Sequence, residues 1–136
     1  MEKQSFNESI NWEAVAWYLA GDGSFQLDIK RSARQKANLQ PRISALSADP
    51  ELTETFIDMV DVGQIYIDKN DNCTWYICNQ KDVKEFAKKV LPFMPLPRKA
   101  EVIKLLIEFC ELREKGEYYG LREWEIHKEI KKLNGR

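Results

Sequence analysis

Apolar and polar residues alternate strictly from Ser24, and the alternation resumes from Asn38 to Leu46. In the first run Phe25, Leu27 and Ile29 are apolar, and Gln26, Asp28, Lys30 and Ser32 stand between them. In the second, Leu39, Ile43 and Ala45 alternate with Asn38, Gln40, Arg42 and Ser44. A period of two is the signature of a strand with one buried face. The segment Arg31 to Ala37 has no apolar anchor and reads as the loop of a hairpin. Pro41 cannot donate to a ladder, so it marks an edge or a bulge. The pattern returns around the turn "DKNDN", with Ile65, Ile67, Trp75 and Ile77 as its apolar set.

Helical periods separate these hairpins. Asn11 is a suitable N-cap for a helix over Trp12 to Ala20, which Gly21 and Gly23 then end. Asp49, Pro50 and Glu51 make a helix start, and Leu52, Phe56, Met59 and Val60 follow at helical spacing until Gly63. Lys81 to Leu91 is amphipathic, prolines 92, 95 and 97 form a connector, and Arg98–Lys115 and Tyr118–Leu133 read as two further helices. Two hairpins with one apolar face each predict an α+β domain over residues 1–136. Its four-stranded antiparallel sheet is covered by helices on one side only.

The bare side of that sheet would present Ser24, Gln26, Asp28, Lys30, Ser32, Asn38, Gln40, Arg42 and Ser44 from the first hairpin. Gln64, Tyr66, Thr74 and Tyr76 would come from the second. A solvated face is the plain reading. Yet Gln, Asn, Arg, Lys and Ser are the side chains that reach base edges and phosphates, and a β-ribbon fits the major groove. The overall charge, 21 basic against 22 acidic residues, gives no such hint. Its distribution does. Lys30, Arg31, Arg34, Lys36 and Arg42 face a lone Asp28 between Ser24 and Leu46, five bases against one acid. The next element carries Asp49, Glu51, Glu54, Asp58 and Asp61 with no base.

Other classes are disfavoured by inventory. No apolar run approaches the ~18 residues that span a bilayer, and "MEKQSFNES" holds no signal-type apolar core. Three cysteines, an odd number without paired metal spacing, fit reduced thiols. An intracellular protein, cytoplasmic or organellar, is expected. A single histidine, His127, leaves little room for zinc sites or histidine triads.

A helix that runs into Gly21-Asp22-Gly23-Ser24 ahead of a polar-faced hairpin resembles the LAGLIDADG homing endonucleases. The motif lies on Val15-Ala16-Trp17-Tyr18-Leu19-Ala20-Gly21-Asp22-Gly23 without gaps. A second register starts the motif at Leu19 with one helical turn deleted. Four residues turn a helix by about 400°, so Asp22 keeps its facing in both. "VGQIY" and "LPRK" also look like the family's. The resemblance implies a site-specific, Mg²⁺-dependent DNA endonuclease of the intron- or intein-encoded kind, cutting both strands of a long pseudo-palindromic site. Asp22, with the Gly21 carbonyl, would hold the metal. One such acid per chain implies a homodimer packed through Ala16, Trp17 and Ala20. Trp17 stands where the family has glycine, which would part the helices or turn the contact towards Ala16 and Ala20. Ser47 or Asp49 would occupy the family's water-orienting position, and Arg98 or Lys99 its basic position near the scissile phosphate. For Asp49 a helix cap is the competing reading, and for Arg98 and Lys99 a solvated first turn.

The chemistry stands apart from the resemblance. Phosphodiester hydrolysis needs an activated water and charge neutralisation at the leaving oxygen, and hard ions such as Mg²⁺ take carboxylate and carbonyl oxygens. A carboxylate at a helix C-terminus opposes the dipole, and a bound cation would remove that conflict. Two other motifs are weaker. Asp22, Asp28 and Lys30 resemble a restriction-type nuclease triad with too short a first gap. Asp68, Asn70 and Asn72 begin like an EF-hand loop that then fails at Cys73 and Asn79. The alternative from another class is a non-cleaving relative of the same fold, an RNA splicing maturase contacting intron RNA or a DNA-binding regulator.

Overall fold

A computed structural model describes residues 9–31, 37–46, 49–116 and 120–135. The elements are α1 (Trp12–Asp22), β1 (Gly23–Arg31), β2 (Ala37–Leu46), α2 (Pro50–Val60), β3 (Gln64–Ile67), β4 (Cys73–Ile77), α3 (Gln80–Val90), α4 (Pro97–Lys115) and α5 (Leu121–Gly135). A single 3₁₀ turn, Leu91–Phe93, joins α3 to the proline-rich approach to α4.

The strands form one antiparallel sheet in the order β1-β2-β4-β3. Register fixes its faces. Gly23 pairs with Ala45 and Ala45 with Trp75, while Phe25 pairs with Ile43 and Ile43 with Ile77. Those rows point at the helices, and Phe25, Ile43, Ala45, Trp75 and Ile77 are all buried. The core continues through Val15, Leu19, Phe56, Phe86, Ile103, Leu106, Phe109 and Ile126. Trp75 sits at its centre, edge-on to Phe56 at 4.9 Å, with its indole N–H donated to the Val62 carbonyl at 2.6 Å. Gly63, at φ +106°, lies so close to that indole that a Cβ would collide with it.

Pro41 is reconciled by where β4 stops. β2 is an inner strand, but β4 pairs only with Ile43–Leu46, so at Pro41 the sole neighbour is Leu27 of β1. The proline is buried at a locally open edge, where its missing N–H costs no second ladder. The helical cover is narrower than the apolar pattern implies. Ile65 and Ile67 on β3 are 49 % and 62 % exposed, and Ile29 near the end of β1 is 48 % exposed. α2 rests on β4, α3 on β2, and α4 and α5 on β1. No helix among these contacts reaches over β3.

"DKNDN" is a hairpin turn. The Asp68 carboxylate accepts from the Asn70 and Asn72 backbone N–H groups at 2.8 and 3.0 Å, and Asp71 adopts φ +66°. No helix among the described residues is long and apolar enough to cross a membrane. Helix α5 begins at Leu121 rather than Tyr118, which lies outside the described residues.

Candidate functional site

α1 does not end at Ala20. It continues through Gly21 to Asp22, and Gly23 is the cap, its N–H returning to the Leu19 carbonyl. Gly23 is required by space rather than by dihedral. Its φ is −101°, but a Cβ there would lie 2.5 Å from Leu19 Cδ2 and 2.7 Å from the Leu19 carbonyl oxygen. The chain thus leaves the helix tightly enough to start β1 at once, with Asp22 exposed at the junction.

What holds this end is Lys99. Its ammonium donates to the carbonyls of Leu19 (2.9 Å), Ala20 (2.9 Å) and Gly23 (2.7 Å). An ammonium has three N–H groups, so all three are engaged. Burial, then the neighbouring Arg98 charge, lowers the Lys99 pKa below the ordinary lysine value, while Asp22 pulls it back up. Two of these carbonyls belong to the last turn of α1, where that of Leu19 also accepts the capping N–H of Gly23 and that of Ala20 is past the reach of the helix ladder. Arg98 does the same for another helix, donating Nη1 to the Leu133 carbonyl near the end of α5 at 3.0 Å. Arg98 and Lys99, the two candidates for the one basic position near a scissile phosphate, are thus both helix-end partners in this structure. The conflict between Asp22 and the helix dipole, which sequence reasoning used to call for a metal, is already relieved by Lys99. The sequence signal for this was the pair of cations opening α4, a place the dipole disfavours.

Asp49 is the N-cap of α2, its Oδ1 accepting from the Glu51 N–H at 3.0 Å. Ser47, Ser32 and Arg34 lie outside the described residues. Ala16, expected at a dimer contact, is 0 % exposed within the chain's own core and offers a partner no surface. The helix period explains the correction. Val15, Ala16 and Leu19 turn inward, so the outward line runs through Glu13, Trp17 and Gly21, with Ala20 partly exposed beside it. Trp17 is 60 % exposed.

The opposite face of the sheet is the polar one. Gln26 pairs with Arg42, Asp28 with Gln40, Lys30 with Asn38 and Ser24 with Ser44. Ser44 continues the row to Tyr76 and Gln64, and Thr74 pairs with Tyr66. Every described residue assigned to that face in sequence lies on it, joined by Leu46, which is 49 % exposed. Arg42 sits over the Tyr76 ring, 5.2 Å from its centroid. At the β1 edge, Asn134 of α5 donates to the Phe25 carbonyl at 2.9 Å. His127 lines a cleft beside it with Gln26, Asp28 and Lys131; burial, then Lys131, lowers its pKa, while Asp28 raises it.

All three cysteines are free, and burial is the main cause that pushes the Cys110 thiol up to about 12. Among the described residues no three His, Cys, Asp or Glu side chains come together as a metal cluster.

The chain matches no protein-family profile and no curated protein. Its fold is nevertheless familiar. It superposes with TM-score 0.75 on an archaeal intron-encoded homing endonuclease, I-Vdi141I, complexed with DNA, at 19 % identity, over 93 % of this chain and 86 % of that one. It superposes with TM-score 0.70 on the LAGLIDADG homing endonuclease I-LtrWI bound to target DNA, at 16 % identity and 96 % of this chain, but spans only 46 % of that longer one. The homing endonuclease I-CvuI, complexed with a DNA target in the presence of Mg, matches with TM-score 0.58 at 14 % identity, over 90 % and 94 % of the two chains. The chain has the LAGLIDADG homing-endonuclease fold, an antiparallel sheet of four strands beneath a layer of helices.

Proposed function

We propose that this protein is a site-specific DNA endonuclease that works inside the cell as a homodimer. Two polar sheet faces would lie in successive stretches of major groove, and two copies of Asp22 would meet where the α1 helices approach. The observation that carries the reading is the polar face that runs across all four strands, through the row Ser24–Ser44–Tyr76–Gln64, on a sheet whose other side is largely core. It gives side chains suited to base edges a rigid platform of ribbon shape.

The donor set fits a divalent ion of the Mg²⁺ kind. Such an ion is commonly held by one or two carboxylates together with substrate phosphates and waters. Asp22 supplies an exposed carboxylate and Gly21 a neighbouring carbonyl, whereas the Ala20 carbonyl is taken by Lys99. Bound there, the ion would neutralise phosphate charge and acidify a water. The protein's own part is to hold the two Asp22 side chains in register across the minor groove. Gly23 and Lys99 fix the helix end that carries them, and Trp17 sets how near the two helices come.

Trp17 also favours a second reading. An exposed indole on the contact line can hold the Asp22 pair too far apart for cleavage while leaving the sheet face competent, which describes a DNA-binding regulator or a maturase. One experiment separates them. The protein is incubated with a randomised duplex pool and Mg²⁺, and newly formed ends are captured and sequenced, with the protein's mass taken by gel filtration. The endonuclease reading expects paired breaks at fixed spacing within one pseudo-palindromic motif and a dimer mass. Enrichment of bound duplexes without new ends points to the non-cleaving reading. A strict monomer contradicts the one-carboxylate-per-chain account.

A further inference from the structure

On the polar face one cation rests against an aromatic ring. Arg42 lies on β2 one residue beyond the last β4 pair, Ile43–Ile77, with Gln26 of β1 as its ladder partner. Its guanidinium carbon stands 5.2 Å from the Tyr76 ring centroid. Its Nε is buried and has no hydrogen-bond partner among the described residues. Tyr66 and Gln40 complete a shallow depression of ≈ 330 Å³ around it. Contact with an aromatic face restricts a guanidinium, and a buried Nε leaves the two terminal nitrogens as the outward fork.

Resting on the DNA-binding reading above, we propose that Arg42 is the guanine-reading residue of this surface, one guanine per half-site. Two parallel N–H donors match the O6 and N7 acceptors on the major-groove edge of guanine, and no other base offers that pair. Placement argues for a base over a phosphate. The sugar-phosphate walls flank a ribbon lying in the groove, so the edge strands β1 and β3 meet phosphates, while the Arg42 guanidinium lies inward of them, over Tyr76 of β4. Gln26, paired with Arg42 across the β1–β2 ladder, and Gln40, two residues away on the same face, surround it with neutral amides rather than further cations. A fork held against Tyr76 before binding also loses little side-chain freedom on contact.

The test is selection of bound duplexes from a randomised pool by the wild type, Arg42→Ala and Arg42→Lys, each checked for a cooperative thermal melt. The wild type is expected to enrich a motif with a guanine preference of about 5- to 150-fold at one symmetry-related pair of positions. Arg42→Ala should erase that preference and leave the other positions intact. Arg42→Lys, which keeps the charge but not the fork, should hold overall affinity within a few fold and still lose most of the preference. If the wild type enriches a motif and both variants enrich the same one, or lose affinity evenly at all positions, the assignment to guanine is wrong while DNA binding stands. If the wild type enriches nothing, DNA binding itself fails and the assignment with it.

Discussion

Asp22→Asn is expected to abolish Mg²⁺-dependent cleavage, lowering the rate on the order of a thousandfold or more, while changing duplex affinity by no more than a few fold. A metal ion supplies several kcal/mol of charge stabilisation in phosphoryl chemistry, and about 1.4 kcal/mol is a factor of ten in rate. The amide keeps the shape of the carboxylate but gives up the charge that attracts the ion. The side chain is exposed and its neighbour Gly21 has open space around it, so the substitution should not disturb folding. In the proposed account binding is carried by the sheet face, on the other side of the β1 junction. The measurement is single-turnover cleavage of a selected duplex beside a binding titration. Equal cleavage by the variant would remove Asp22 from the site.

The second large effect is at Lys99, where the two roles open to it have different consequences. Lys99→Met keeps most of the aliphatic stem and removes three charged hydrogen bonds to carbonyls. Hydrogen bonds to charged groups contribute about 1.5–3 kcal/mol, and a buried acceptor left unpaired costs about 1–3 kcal/mol. Because Lys99 is only partly buried, we expect a loss of about 2–3 kcal/mol, and for a chain this size a fall in Tm of about 8 °C. Cleavage should fall as well, because the turn that carries Asp22 loses its anchor. An unchanged Tm with lost cleavage would show instead that the ammonium acts on the phosphate and is not held by α1.

Lys99 also shows where sequence reasoning reaches its limit. Alternation in Phe25–Ile29 and Leu39–Ala45 determined the faces of both strands, because a one-residue slip would invert every side chain. The polar surface was therefore legible residue by residue, whereas the register that sets Gln26 opposite Arg42 is known from the structure alone. The helix facing was not. Trp12 to Ala20 is apolar nearly all round, so its period does not say which side is inward, and Ala16 fell on the wrong one. Ile65 and Ile67 misled for a related reason. Alternation says which face a residue shares, and whether a helix reaches that face depends on where distant elements pack. The three carbonyls under Lys99 come from a segment about 80 positions away in the chain, as the 76–80 residue separations show. No local pattern encodes such a contact. The cation-rich opening of α4 marked the residue without revealing its partner.

The likeness to DNA-bound endonucleases is one of fold, so the claim that matters most is that this polar face holds a DNA duplex. Fluorescence anisotropy of a labelled mixed-sequence duplex, titrated with the wild-type protein at rising salt, tests it directly. A surface that neutralises six or more phosphates should lose about a thousandfold or more in affinity between about 50 and about 200 mM salt. A steep fall of that kind is the result we predict. No binding at low salt, or an affinity flat across the range, would contradict it.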